Sequence, residues 1–227
     1  SELSEYNRPS CCLKMIAADG YFIYTGGEVI PPGVTRVRIH ESLTVIPARA
    51  FYGNFTIKEV ECHVDVKKVE ENAFCGCTSL RRVRMPGVEV VEGCAFFFCD
   101  ALTDVECDKL EIIGRRAFDG CKSLRSINLL STKIVGGYSF VNAGLMDATF
   151  GKELETIEAG AFYNCTSLER ITIPLKDGMI TADRIFSFCD NLRHVDLVEG
   201  ELHETIAALQ LEEWRNDMNE EIDSINQ

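Results

Sequence analysis

Only four histidines, six prolines and one tryptophan occur among the 227 residues, and no familiar catalytic arrangement accompanies them. There is no G-x-S-x-G elbow, no phosphate-binding P-loop and no H-E-x-x-H, so the chain is not expected to be an enzyme. Long apolar runs are missing as well. None approaches the ~20 residues needed to span a bilayer, which argues against membrane insertion. The opening SELSEYNRPSCCLKMIAADG has no basic segment followed by an apolar one, so no secretory signal is expected. Positive charge is scarce: 23 Lys and Arg stand against 36 Asp and Glu, a net −13. That balance argues against a nucleic-acid partner, because phosphate contacts need a basic face.

The acidity is local. Residues 199–227 hold nine acidic residues and one arginine, while residues 1–30 hold four acidic and two basic ones. The long middle is nearly balanced and carries the feature that organises the chain. AFYNCTSLERITIP, Ala161 to Pro174, nearly repeats AFCGCTSLRRVRMP, Ala73 to Pro86. With the phenylalanines at 51, 74, 96, 118, 140, 162 and 186 as anchors, the spacings are 23, 22, 22, 22, 22 and 24. Three residues after the anchor comes cysteine in five copies: Cys77, Cys99, Cys121, Cys165 and Cys189. Leucine follows at six in most copies, then two apolar residues at nine and eleven, as in Val83/Met85 and Ile171/Ile173. The fifth copy lacks one turn residue, so Leu145, Ala148 and Phe150 take those places.

Apolar residues alternating with polar ones after the leucine predict a short strand with one buried face. A second short extended piece precedes each anchor, and the anchor itself sits in a tight turn. One such unit cannot bury its apolar face alone, so the units must stack and share a core. The phrase AFxxCxSLxxIxIP at a period near 22 resembles the BspA-type leucine-rich repeat. The resemblance spans about Val34 to Val198 and implies a right-handed solenoid used in protein recognition or adhesion, with no catalytic residues.

The expected organisation is an N-terminal segment and cap over 1–33, seven repeats over 34–198, and an acidic helical C-terminal cap over 199–227. YFIYTGGEVI, Tyr21 to Ile30, reads as a hairpin or paired strands ahead of the first coil. In Leu202–Ile225, Leu202, Ile206 and Leu209 share one helical stripe, expected to cover the last coil beside Leu197. Leu211, Trp214, Met218, Ile222 and Ile225 share another, expected either to fold back after a break near Gln210 or to serve self-association or a partner contact.

The outward strand residues are the other candidate protein-binding surface. Signs alternate from coil to coil: Arg36/Arg38, Glu59/Glu61, Arg82/Arg84, Asp104/Glu106. In parallel register each arginine pair falls between carboxylates. Arg82, Arg84, Asp104 and Glu106 are therefore the strand residues expected to meet a protein partner, whose basic patch is expected to face the acidic C-terminal segment. No cofactor or metal is expected. A remote alternative is metal or redox work by Cys11, Cys12, Cys75 or Cys94, or by His40 and His63, which the repeat places on adjacent coils. The in-register cysteines read as reduced core residues. Buried thiols favour the cytosol or an organelle, with cell-surface adhesion as the alternative.

Overall fold

A computed structural model describes residues 15–174 and 184–198. Fourteen short strands appear in it. The first seven are β1 (Phe22–Tyr24), β2 (Arg36–Ile39), β3 (Val45–Ile46), β4 (Glu59–Glu61), β5 (Lys68–Val69), β6 (Arg82–Arg84) and β7 (Val90–Val91). Then come β8 (Asp104–Glu106), β9 (Ile112–Ile113), β10 (Ile134–Val135), β11 (Asp147–Thr149), β12 (Thr156–Ile157), β13 (Arg170–Pro174) and β14 (His194–Val198). All pair in parallel, each with its equivalent one coil away: Val37 lies beside Val60, Val60 beside Val83, and Val83 beside Val105. The result is a mainly-β solenoid. One wall is the sheet β1-β2-β4-β6-β8, continued beyond a break by β11-β13-β14, and a second is β3-β5-β7-β9-β10-β12.

The turns holding the anchors form a third wall, which the sequence pattern did not reveal. Around each anchor, the residue two before and the residue two after have positive φ in all seven copies. The first set is Arg49, Asn72, Cys94, Arg116, Tyr138, Gly160 and Arg184. The second is Gly53, Gly76, Phe98, Gly120, Asn142, Asn164 and Phe188. The reason lies in the backbone. Every buried N–H must find an acceptor, and with a left-handed residue on either side of the anchor every other N–H of the turn points along the stack. Thus Asn72, Phe74 and Gly76 donate to the carbonyls of Gly93, Ala95 and Phe97 at 3.1, 2.7 and 2.7 Å. The intervening amides close local turns, as Ala73 does onto Glu70.

Inside the walls the seven anchor phenylalanines form one stack, with ring centroids 4.9–5.5 Å apart and planes within 15°. Tyr24 extends it, 4.8 Å from Phe51. This corrects the expected hairpin. Phe22–Tyr24 joins β2 in parallel as the first rung, and residues 28–30 form no strand. Stacking Tyr24 on Phe51 buries more apolar surface than a free-standing hairpin would, and isolated hairpins are marginal in water.

The fifth copy interrupts the first wall. Being one residue short, it leaves residues 126–128 outside any strand, with only a parallel bridge between Leu129 and Phe150. Gly144 makes the short cut possible: a Cβ there would sit 2.1 Å from the Lys122 carbonyl oxygen. Among the described residues there is no α-helix. The helical cap expected over 199–227 lies outside the described residues, as do Leu211, Trp214, Met218 and Ile222.

Candidate functional site

Alternation along the strands turns one side chain in and the next out. In β6, Val83 is fully buried while Arg82 and Arg84 are exposed. Register then stacks the outward residues into two parallel columns. In one, Arg36 Nε lies 2.7 Å from Glu59 and Arg82 Nε 2.7 Å from Asp104, with Glu59 3.8 Å from Arg82 on its other side. In the other, Arg38 lies 2.8 Å from Glu61 and Arg84 3.0 Å from Glu106, with Glu61 3.7 Å from Arg84. The structure thus brings Arg82, Arg84, Asp104 and Glu106 together as the alternating signs require. These contacts raise the Arg84 guanidinium above its ordinary range, Glu106 being the main cause.

The two ends of the columns differ. At the first coil, the ring of Tyr21 lies under both guanidiniums, 4.0 Å from Arg36 and 4.3 Å from Arg38. Asp19 adds a contact to Arg38 at 2.9 Å, which holds its own carboxyl below the usual range. At the other end the ladder stops in acid. Beyond Asp104 and Glu106 come Ser126 and Asn128, so each of these half-exposed carboxylates meets an arginine on one side only. Exposed pairs of this kind contribute about 0–1 kcal/mol each. Their arrangement fixes register and presents a flat polar face more than it stabilises the fold.

A family model, the BspA type leucine rich repeat region, matches residues 33–109 and 95–207 in six copies. The chain belongs to that family. Among solved structures, it is similar to a leucine rich cell surface protein from Faecalibacterium prausnitzii, at 26% identity and a TM-score of 0.56. That match covers 80% of this chain and 52% of the other. The pneumococcal vaccine antigen PcpA shares the fold at 16% identity and a TM-score of 0.51, over 73% of this chain and 41% of that one. A T. pallidum leucine rich repeat protein aligns at 23% identity and a TM-score of 0.46, over 78% of this chain and 68% of its own. The chain therefore spans about half or less of the first two. Sequence comparison with curated proteins gives no significant match.

The cysteine of the BspA-type phrase has a visible task. Each in-register thiol donates to the anchor carbonyl one coil back: Cys77 to Phe51, Cys99 to Phe74 and Cys121 to Phe96 at 3.1–3.2 Å. Cys165 and Cys189 do the same toward Phe140 and Phe162 at 2.9 and 3.0 Å. Serine would supply the bond but bury a costlier hydroxyl, and alanine would forfeit it. Burial pushes the Cys77 thiol up to about 12, and Cys99 and Cys121 are raised well above the ordinary range by the same cause. Because the thiolate is the reactive form, this ladder is built for packing.

All nine described cysteines are free. Cys75 and Cys94, off the ladder, are raised by burial too, while Cys11 and Cys12 lie outside the described residues. The two histidines are neighbours but do not converge. His63 directs Nε2 at the His40 backbone carbonyl, 3.2 Å away, and His40 Nδ1 meets Ser42 Oγ at 2.8 Å. The carboxylate beside His63 is Asp65, at 3.6 Å. Among the described residues no group of three or more potential ligands gathers.

Proposed function

We propose that this protein is a non-enzymatic interaction module that holds a protein partner on the exposed face of its first wall. One observation carries the reading: the alternating-charge columns end at Asp104 and Glu106, half-exposed carboxylates with an arginine on one side only. A partner offering basic side chains there would complete the alternation by one more rung. Rigid strands hold the acidic pair in place, so little ordering entropy opposes binding. Recognition at a cell surface is a second reading, supported by the likeness to the F. prausnitzii cell surface protein.

The double variant Asp104→Ser/Glu106→Asn tests the first reading, since it copies the residues of the next rung and leaves the core untouched. Immobilised wild type and variant are compared for proteins retained from native extract, with melting measured in parallel. Loss of a retained protein with little change in melting supports the reading. Equal retention by both overturns it.

A further inference from the structure

The turn wall carries a feature unrelated to strand pairing. Phe98 and Tyr138 both hold left-handed backbones, at φ 54° and 60°, and both are exposed, at 46% and 36%. Bulky side chains rarely adopt that conformation, so these positions carry strain that glycine, found in the same register at Gly120 and Gly160, would avoid. Their rings occupy the space beside those glycines on the next coil. A Cβ at Gly120 would come within 2.5 Å of the Phe98 ring, and one at Gly160 within 2.6 Å of the Tyr138 ring. Phe97 packs beside Phe98 with centroids 4.1 Å apart.

Two guanidiniums border this apolar strip. Arg115 lies 5.7 Å from the Tyr138 ring, and Arg116 lies 5.9 Å from Phe97 and 6.0 Å from Tyr138. Arg116 meets Asp119 at 3.7 Å, whereas Arg115 forms no ion pair among the described residues. The outcome is an aromatic ridge with cationic edges on a chain of net charge −13.

The geometry points to an internal occupant: we infer that residues 211–222 of this same chain lie on the ridge. That segment interleaves Leu211, Trp214, Met218 and Ile222 with Glu212, Glu213, Asp217, Glu220 and Glu221. Apolar side chains meet Phe97, Phe98 and Tyr138, and carboxylates meet Arg115 and Arg116. The lengths allow it. Twelve residues lie between Val198 and Leu211, and the thirteen Cα-to-Cα steps can reach about 45 Å when extended. The ridge lies roughly three coils back, about 15 Å along the axis at ~4.8 Å per coil.

Trp214 is the chain's only tryptophan, so its emission reports on this segment alone. Acrylamide quenching of the full chain should show Trp214 shielded relative to the denatured protein. Shielding should weaken as salt shortens the screening length from about 10 Å at 0.1 M to about 3 Å at 1 M. Quenching should rise several-fold in Arg115→Glu and in Phe98→Gly, with circular dichroism confirming the fold. If Arg115→Glu does not fold, Phe98→Gly, which relieves backbone strain, serves alone. Loss of shielding in either folded variant, with light scattering showing a single copy, supports the inference. Shielding unmoved in every folded variant, Trp214 as accessible as in the denatured chain, or shielding seen only in a dimer overturns it.

Discussion

Phe118 sits mid-stack, fully buried, 5.2 Å from Phe96 and 5.4 Å from Phe140 with both pairs near-parallel at 5°. Replacing it with alanine removes one ring from a column whose neighbours are held by continuous backbone bonds on the second wall and the turn wall, which resist closure of the gap. Buried Phe→Ala changes cost about 3–5 kcal/mol, and the loss of two ring contacts places this one near the upper end, about 5. Phe118→Leu separates the causes. It keeps most of the apolar volume but loses both ring contacts, each worth about 0.5–1.5 kcal/mol, for an expected cost of about 1–3. Urea titration followed by circular dichroism reads both through the midpoint and slope. The alanine variant should also show a lower slope, because a gap in a nearest-neighbour stack uncouples the coils on either side. An alanine cost under about 2 kcal/mol, or a leucine variant as stable as wild type, would refute the idea that continuous ring stacking holds the coils together.

Ser139 stands where five other copies have alanine, and its fully buried hydroxyl has no partner; Ser139→Ala should therefore raise the melting temperature by about 2–4 °C, for about 1 kcal/mol recovered. Gly53 has φ 67° with open space at its Cβ position, so Gly53→Ala should cost about 1–2 kcal/mol of backbone strain alone. Gly144→Ala should cost more in the same titration, because its Cβ would meet the Lys122 carbonyl at 2.1 Å. Asp119 is buried, and desolvation raises its carboxyl despite Arg116 and Asn142, which lower it. Its contribution favours the fold below its unfolded pKa, near 3.9, and is lost as pH rises through the raised folded value. Asp119→Asn should remove that loss, so the variant gains stability relative to wild type between those two pKa values, checked by melting across pH 3–7.

The strand face was legible because parallel register converts spacing into contact: residues 22 or 23 apart must meet, so alternating signs announce ion pairs. Phenylalanine and leucine reported the core for the same reason. The left-handed positions were half legible. Two after the anchor, glycine or asparagine fills five of seven copies, which signals positive φ. Two before it, arginine, asparagine, cysteine, tyrosine and glycine all occur, because the demand falls on the backbone N–H and not on the side chain. Tyr24 was misread since it lies 27 residues before Phe51, outside the period, and the adjacent Gly26-Gly27 mimics a hairpin turn. His40 and His63 were correctly placed side by side. Their ring directions depend on local bonds to Ser42 and Asp65 that spacing does not encode.

Carboxyl footprinting tests the central claim, a polar strand face that receives a protein partner, most directly. Carbodiimide-driven labelling of the full chain is quantified by peptide mass spectrometry with and without a partner retained from native extract. Labelling of Asp104 and Glu106 should fall on binding while Glu155, beside the second wall, labels as before. Undiminished labelling of Asp104 and Glu106 in the bound state would contradict it.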